Sequence, residues 1–220
     1  MSEPRSPLDL LEALALQEVA ITPDLAHLEI YTMRGLLTLF WHGLRDAQNV
    51  VLCAGGGMGG LLGPADGLYH DLGCSFAEQG IGVVRVDYRN PNDLSRSVHD
   101  VAAAGDLASR SGARQFVVLG HSFGGAVAIQ AGTVFGEHCK GVVTFATQSA
   151  GCEHADQLQA PLLMFHGTND TILPPQTSEV VQMIAGKGEL VMLEGDDHLL
   201  SQSHALMRER LLDWIPAQLA

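Results

Sequence analysis

The sequence predicts an α/β fold, a mostly parallel sheet with helices on both faces, from two observations. Short apolar runs alternate with longer segments of helical character, an order typical of right-handed βαβ crossovers. One run, Phe116 to Leu119, leads into Gly120-His121-Ser122-Phe123-Gly124, and an Ala- and Gly-rich helical segment follows. The runs together predict an eight-stranded sheet.

The N-terminal part of the chain predicts a helix and then a hairpin. Leucines at helical spacing over Pro7 to about Gln17 predict an amphipathic lead-in helix, so that residues 1–25 form a helix and a loop. Two β-rich runs within 27–40 meet at Arg34-Gly35, which indicates a hairpin. Residues 49–54 are apolar almost throughout, as in a strand buried on both faces, and open into the glycine-rich loop GGGMGG.

From residue 66 onward strands and helices alternate regularly. Either Asn92 or Asp93 is expected to cap the second of these helices. The connection Thr147 to Ala160 has about fourteen residues, which is too short for a lid domain. No linker or repeat is visible, so we expect one domain over 1–220. Besides the segment around Ser122, helices are predicted over 66–79, 94–109, 177–185 and 204–219, and strands over 82–86, 141–146, 162–165 and 190–193.

Composition restricts the class of protein. A chain of 220 residues with 46% hydrophobic content can bury one sizeable core. Its formal charge of −13 argues against a nucleic-acid or anionic-membrane partner. The four cysteines have no C-x-x-C spacing and are interpreted as free thiols. Because no apolar run reaches about 18 residues and the first residues are acidic, we expect a cytoplasmic protein without a membrane span.

The Gly-x-Ser-x-Gly pattern at Ser122 has the context of a nucleophile elbow, a tight turn between a strand and a helix. Such a turn brings the residues two before and two after the serine close together, so both must be glycine. Asp170 and His198 each follow a predicted strand downstream. Since ligands meet the carboxyl ends of strands in such sheets, all three residues are expected at one edge, in the order Ser, Asp, His.

On these residues the sequence resembles the α/β-hydrolases, from about Leu28 to the C-terminus. The resemblance implies that Ser122 is the nucleophile, that His198 is the general base and then the acid, and that Asp170 orients the imidazole. It implies cleavage of a small to medium carboxylic ester through an acyl-serine intermediate, with no metal and no organic cofactor. A thioesterase or an amide or peptide hydrolase would use the same triad.

The resemblance also implies an oxyanion hole in the glycine-rich loop. Ala54 stands where the family often has histidine, and the N–H of Gly56, or else of Gly57 or Met58, is expected to act with the N–H of Phe123. Apolar residues of this region, Met58, Leu61 and Leu62, suggest a partly apolar pocket for an acyl substrate. We expect a small-molecule substrate and a monomer or homodimer.

Other interpretations of these residues remain open. One alternative is that Ser122 is only a helix cap and that Asp170 only forms a turn. The triad acid is alternatively Asp156 or Glu153, which follow the preceding strand. The fold is alternatively a non-catalytic binding module. No zinc-ligand spacing is recognisable among the ten histidines, and His166, at a strand end, is expected to buttress the acid loop.

Overall fold

The computed structural model describes residues 5–220 and contains a nine-stranded sheet with helices on both faces. The strand order is β1-β2-β3-β5-β4-β6-β7-β8-β9. The β-strands are β1 (Ala13–Thr22), β2 (Leu25–Thr32), β3 (Gly35–His42), β4 (Asn49–Ala54), β5 (Gly82–Asp87), β6 (Gln115–His121), β7 (Cys139–Phe145), β8 (Leu162–Gly167) and β9 (Glu189–Leu193). The helices are α1 (Pro7–Leu10), α2 (Leu68–Ala77), α3 (Leu94–Ser111), α4 (Phe123–Phe135), α5 (Gln176–Ala185) and α6 (His204–Leu219).

The prediction for the N-terminal segment is wrong. Helix α1 has only four residues, and Glu12 then adopts a positive φ of 51°, which ends the helix. The next ten residues form β1, which pairs antiparallel with β2 and gives the sheet nine strands instead of eight. All residues of β1 are exposed, so its conformation is set by hydrogen bonding to β2 and not by burial of an apolar face.

Two hydrophobic clusters sandwich the sheet. One cluster packs α3, α4 and α5 against one face, and Val101, Val127 and Val181 are fully buried in it. The other packs α2 and α6 against the opposite face, around Phe76 and Leu211. Burial on both faces explains why the central strands are apolar almost throughout.

All pairings from β5 through β4 to β9 are parallel, whereas β1, β2, β3 and β5 pair antiparallel. The carboxyl ends of β4, β6, β8 and β9 therefore lie along one edge of the sheet. The loops that follow these strands carry the glycine-rich segment, Ser122, Asp170 and His198.

The connection from β7 to β8 covers residues 146–161 and contains only a single 3₁₀ turn, Ala155–Gln157. No lid domain is present in residues 5–220, in agreement with the prediction. Within the same residues, no helix is both long and apolar enough to cross a membrane.

Candidate active site

Ser122 lies in a strained turn between β6 and α4. Its φ of 59° and ψ of −117° are sparsely populated for a residue with a side chain. Its backbone N–H donates to the carbonyl oxygen of Phe145 at 2.8 Å, which ties the turn to the end of β7. The Ser122 side chain makes no hydrogen bond to the helix that follows, so it does not act as a cap.

The glycines around Ser122 are required by close backbone packing. A Cβ on Gly120 would lie 1.8 Å from the carbonyl oxygen of Gly124. A Cβ on Gly124 would lie 2.3 Å from the carbonyl oxygen of Gly55, in the glycine-rich loop. A Cβ on Gly125 would meet Thr147 Oγ1 at 2.4 Å. The motif therefore holds the serine turn directly against the neighbouring loop.

Ser122, His198 and Asp170 form a continuous chain of hydrogen bonds. His198 Nε2 lies 3.0 Å from Ser122 Oγ, and His198 Nδ1 lies 2.7 Å from Asp170 Oδ2. Because a carboxylate only accepts, Nδ1 carries the proton and Nε2 of the neutral ring is free to accept the serine O–H. Both His198 and Asp170 are buried. The structure thus brings together the three residues that the sequence placed at separate strand ends.

Both oxygens of Asp170 are engaged. Oδ1 accepts the backbone N–H groups of Ile172 and Leu173, each at 2.8 Å, so the residue is a turn former as well as the partner of His198. Burial alone would raise the Asp170 pKa, but hydrogen bonds from His198, Leu173 and Ile172 outweigh it and hold the pKa below its ordinary value. Asp170 is therefore an anion at neutral pH.

Two further histidines brace this arrangement. His166 Nε2 lies 3.2 Å from Asp170 Oδ2, and it buttresses the acid loop as expected from its position. His121 Nε2 donates to the backbone carbonyl of His198 at 2.9 Å, which fixes the loop that carries the imidazole. Burial lowers the pKa of His121 to about 4, so its ring is neutral at pH 7.

The acid loop and the histidine loop are joined to each other by hydrogen bonds that backbone N–H groups donate. Asn169 N–H donates to the carbonyl of Asp196 at 2.8 Å, and Gly195 N–H donates to Thr168 Oγ1 at 2.8 Å. Asp197 accepts the N–H of Leu199 through Oδ1 at 2.9 Å, as befits a turn residue. Because these contacts hold the two loops together, they fix the distance between Asp170 and His198.

The glycine-rich loop is anchored from beneath by two buried tyrosines. Tyr69 donates its hydroxyl to the carbonyl of Ala54 at 3.1 Å, and Tyr88 donates to that of Gly55 at 3.0 Å. This places Gly56 and its successors in the wall of the cavity beside Ser122. Phe123 is the first residue of α4, where a backbone N–H has no acceptor within the helix.

A cavity of about 560 Å³ opens at Ser122 and His198. Met58, Leu61 and Leu62 line it as expected, although Met58 is 95% exposed and lies at the rim. The phenyl ring of Phe123 turns away and packs edge-on against Tyr88, so Phe123 offers the site its backbone only. The complete lining consists of residues 55–63 with Asn92, His121, Ser122, Ile172, His198 and Leu199.

The sequence did not identify Asn92, Ile172 or Leu199 as lining residues. The sequence offers Asn92 or Asp93 as the helix cap, and Asp93 takes that role, accepting the N–H of Arg96 at 3.1 Å. Asn92 instead has a φ of 68° and approaches Gly57, where an added Cβ would lie 2.5 Å from its Oδ1. Ile172 and Leu199 each lie within two residues of a predicted triad residue. This position in the sequence could have identified them as lining residues.

The alternative acids lie away from the imidazole. Asp156 is exposed in the 3₁₀ turn, and Glu153 is also exposed and accepts the N–H of Gly151 at 3.0 Å. Arg89, which lies in the loop after β5, is not among the residues that line the cavity, and its side chain pairs with buried Asp100 at 2.6 Å. Within residues 5–220, the carboxylate bound to the His198 ring is that of Asp170.

Comparison with solved structures shows the same fold in several hydrolases. Est1E from Butyrivibrio proteoclasticus, also solved with ferulic acid bound, superposes with a TM-score of 0.74 at 14% identity over 88% of this chain and 98% of that one. An alpha-beta serine hydrolase homologue from Coxiella burnetii gives 0.70 at 18% identity, over 88% and 98% of the two chains. A puromycin-hydrolyzing peptidase from Mycobacterium tuberculosis gives 0.67 at 18%, over 84% of this chain and 37% of that one.

Sequence comparison leads to the same class of protein. No curated protein matches the chain in sequence. A family model described as "Alpha/beta hydrolase family" matches residues 66–203, a segment that includes Ser122, Asp170 and His198. Sheet order, elbow geometry and family match thus agree, and the chain belongs to the alpha/beta hydrolase family.

Proposed function

We propose that this hydrolase cleaves a carboxylic ester of small to medium size through an acyl-serine intermediate. The observation that carries the proposal is the hydrogen-bonded chain from Ser122 Oγ through the His198 ring to Asp170 Oδ2. A serine hydroxyl is a weak nucleophile until an oriented base accepts its proton. In this hydrogen-bonded chain His198 is the base, and Asp170 orients it.

In the first half-reaction, Ser122 Oγ attacks the ester carbonyl carbon while His198 Nε2 accepts the hydroxyl proton. The imidazolium that forms is stabilised by the Asp170 carboxylate. His198 then returns the proton to the leaving alkoxide as the C–O bond breaks. The alcohol departs and the acyl group remains on Ser122.

In the second half-reaction, water gives a proton to His198 and attacks the acyl carbon, and the serine recovers its proton as the acid is released. Both steps develop negative charge on the carbonyl oxygen. The N–H groups of Gly56 and Phe123 are the proposed donors to this oxygen, with those of Gly57 and Met58 as alternatives to Gly56. Loss of one such donor costs about 3 kcal/mol of transition-state stabilisation in another enzyme.

The lining of the cavity favours an uncharged acyl substrate. Among residues 5–220, no lysine or arginine lines it, and it presents the apolar side chains of Leu61, Leu62, Ile172 and Leu199. Ferulic acid, which is bound to the structurally similar Est1E, is itself a carboxylic acid of the kind that ester cleavage releases. Since residues 5–220 contain no lid domain, the described site is reached directly from solvent.

Labelling with a fluorophosphonate, followed by mass mapping of the modified peptide, tests the proposal without knowledge of the substrate. We expect one adduct on Ser122, absent from Ser122→Ala and His198→Ala and retained in the control Ser149→Ala. Folding of each variant is checked by circular dichroism. Absence of an adduct on folded wild-type protein would reject the activated serine and favour the binding-module alternative.

Rates on matched ester, thioester and anilide substrates identify the bond that is cleaved. We expect kcat/KM to be highest for the ester and to disappear in Ser122→Ala. A higher value for the thioester or the anilide would keep the triad and replace the proposed substrate class. Recovery of intact ester after long incubation with stoichiometric protein would indicate binding without hydrolysis.

We also propose that the protein acts in the cytoplasm, as a monomer or homodimer, on a small molecule and without nucleic-acid or membrane partners. The formal charge of −13 supports the absence of nucleic-acid and membrane partners, because nucleic acids and anionic membrane surfaces would repel it. The four cysteines, none of which is paired, agree with a reducing compartment.

A further inference from the structure

A second cluster of reactive side chains lies at the opposite edge of the sheet from Ser122. His42 ends β3 and pairs in register with Val83, near the start of β5, whereas Ser122 follows the carboxyl end of β6. His70 and Cys74 are four residues apart on α2, and therefore on one face of that helix. One potential ligand atom from each of His42, His70 and Cys74 lies within 4.8 Å of the other two.

The geometry is close to what a metal ion needs. His70 Nε2 lies 3.7 Å from Cys74 Sγ, and the His42 and His70 rings have centroids 5.3 Å apart. Zinc–nitrogen and zinc–sulfur bonds of about 2.0–2.3 Å place tetrahedral ligand atoms about 3.5 Å from one another. The histidine–cysteine pair already has this spacing, and a potential ligand atom of His42 lies within 4.8 Å of both partners.

An independent observation points to a missing ligand. His42 is only 2% exposed, and its Nε2 atom has no hydrogen-bond partner in residues 5–220. A buried ring nitrogen without a partner costs free energy, so such groups are rare.

The backbone holds the His42 ring in place. A Cβ on Gly73 would lie 2.6–2.7 Å from three atoms of this ring, so glycine is needed for the imidazole to rest on α2. The three residues share a cavity of about 340 Å³, whose lining also includes the carboxylate residues Asp24 and Glu78. A carboxylate or a water molecule can thus complete a four-coordinate site.

Charge near the cluster is mixed. Arg85 is buried and lies near His42. This cation opposes a bound metal ion. A Cys74 thiolate interacts favourably with both cations, and Asp24 and Glu78 add negative charge in the same cavity.

We propose that His42, His70 and Cys74 form a binding site for a zinc ion, separate from the hydrolytic site and joining β3 to α2. On binding, the Cys74 thiol gives its proton to the buffer and its sulfur bonds to the metal, while the two imidazoles bind as neutral ligands. Because the ion binds the folded protein, it stabilises the folded state by mass action. This site modifies the sequence-based prediction that the protein contains no metal.

The test uses the full chain, with any affinity tag removed and a non-thiol reductant present. Co²⁺ replaces Zn²⁺ as a spectroscopic probe, and a thiolate–Co²⁺ charge-transfer band is expected in wild type at one ion per chain. Calorimetric titration with Zn²⁺ in two buffers of different ionisation enthalpy is expected to report release of about one proton. Zn²⁺ should also raise the Tm.

Variants locate the site. Cys74→Ser should abolish the charge-transfer band, and His70→Ala should weaken Zn²⁺ binding by more than the 10–100-fold typical of losing an outer-shell partner. His42→Gln should do the same, and if it fails to fold, the first two variants decide. The control is His204→Ala, which removes a histidine that pairs with Asp71 of α2 at 2.9 Å, and its Zn²⁺ affinity should equal that of wild type.

Two results would overturn the proposal. One is wild-type protein that shows no thiolate–Co²⁺ band, and the other is Zn²⁺ affinity unchanged in both Cys74→Ser and His70→Ala. Ester hydrolysis is measured in parallel and should be unaffected by His70→Ala, since the two sites lie at opposite edges of the sheet.

Discussion

Asp170→Asn tests most directly whether the hydrogen-bond chain is catalytic. The asparagine amide has one acceptor and one donor group, whereas the carboxylate has two acceptors. Its oxygen will stay with the N–H groups of Ile172 and Leu173, because the opposite orientation loses two hydrogen bonds of about 1 kcal/mol each. The NH₂ group then faces His198 Nδ1, at the position where Oδ2 lies 2.7 Å away.

This orientation inverts the tautomer of the imidazole. With a donor opposite Nδ1, the neutral ring carries its proton on Nε2, which then cannot accept the proton of Ser122 Oγ 3.0 Å away. The equivalent change in another serine hydrolase lowers kcat by about 10⁴. At about 1.36 kcal/mol per factor of ten, the expected loss of transition-state stabilisation is about 5 kcal/mol. Tm should change little, because the side chain keeps its shape and its two backbone contacts.

The assay is steady-state hydrolysis of a p-nitrophenyl ester, with kcat and KM determined separately. The matched controls are Asp156→Asn, the alternative acid, and Asp197→Asn, an exposed neighbour of His198. Both should retain wild-type rates. If Asp170→Asn stayed within tenfold of wild type, or if Asp156→Asn showed the large loss instead, the assignment of Asp170 would be wrong.

Three further predictions concern the free energy of unfolding, measured by chemical denaturation. Gly124→Ala places a Cβ 2.3 Å from a backbone oxygen and should cost about 1–3 kcal/mol, whereas Gly82→Ala, with its nearest atom at 3.4 Å, should cost less. Asp100→Ala leaves the Arg89 guanidinium buried without its partner and should cost about 3–5 kcal/mol; a loss below about 1 kcal/mol would contradict this. The pKa of His121 is lowered from 6.5 to about 4, so the unfolded chain protonates first as the pH falls. The contribution of His121 to stability should thus be complete above pH 6.5 and fall by about 3 kcal/mol toward pH 4, in addition to the losses from other groups. A His121→Gln variant with the same total loss as wild type would refute the assignment.

Much of the fold and of the candidate site followed from the sequence, because both leave local patterns. Strands buried on both faces need apolar residues throughout, which revealed β4 to β8. The tight turn at Ser122 excludes a Cβ on Gly120 and Gly124, so glycines at these two positions indicate the turn in the sequence. The order of Ser122, Asp170 and His198 at successive strand ends then predicted one edge of the sheet, since parallel strands align their carboxyl ends.

The features that were missed or misassigned depend on partners distant in the chain. Strand β1 has only exposed residues and is held by pairing with β2. Its sequence therefore lacks the pattern of a buried strand, and the spacing of its leucines predicted a helix instead. Asn92 is brought to the cavity by its positive φ and its approach to Gly57, neither of which leaves a periodic signal.

The hydrogen bonds and the charges around the site were likewise decided by tertiary structure alone. The choice of Asp170 over Asp156 required the actual placement of the loops after β7 and β8 around His198. The cluster of His42, His70 and Cys74 joins a strand end to a helix face, and no spacing recognised in the sequence indicated it. Sequence alone predicted which elements form and where strands end, because these follow from local sterics and burial. Which side chains meet across loops depends on how the elements pack, and that is a property of the folded chain.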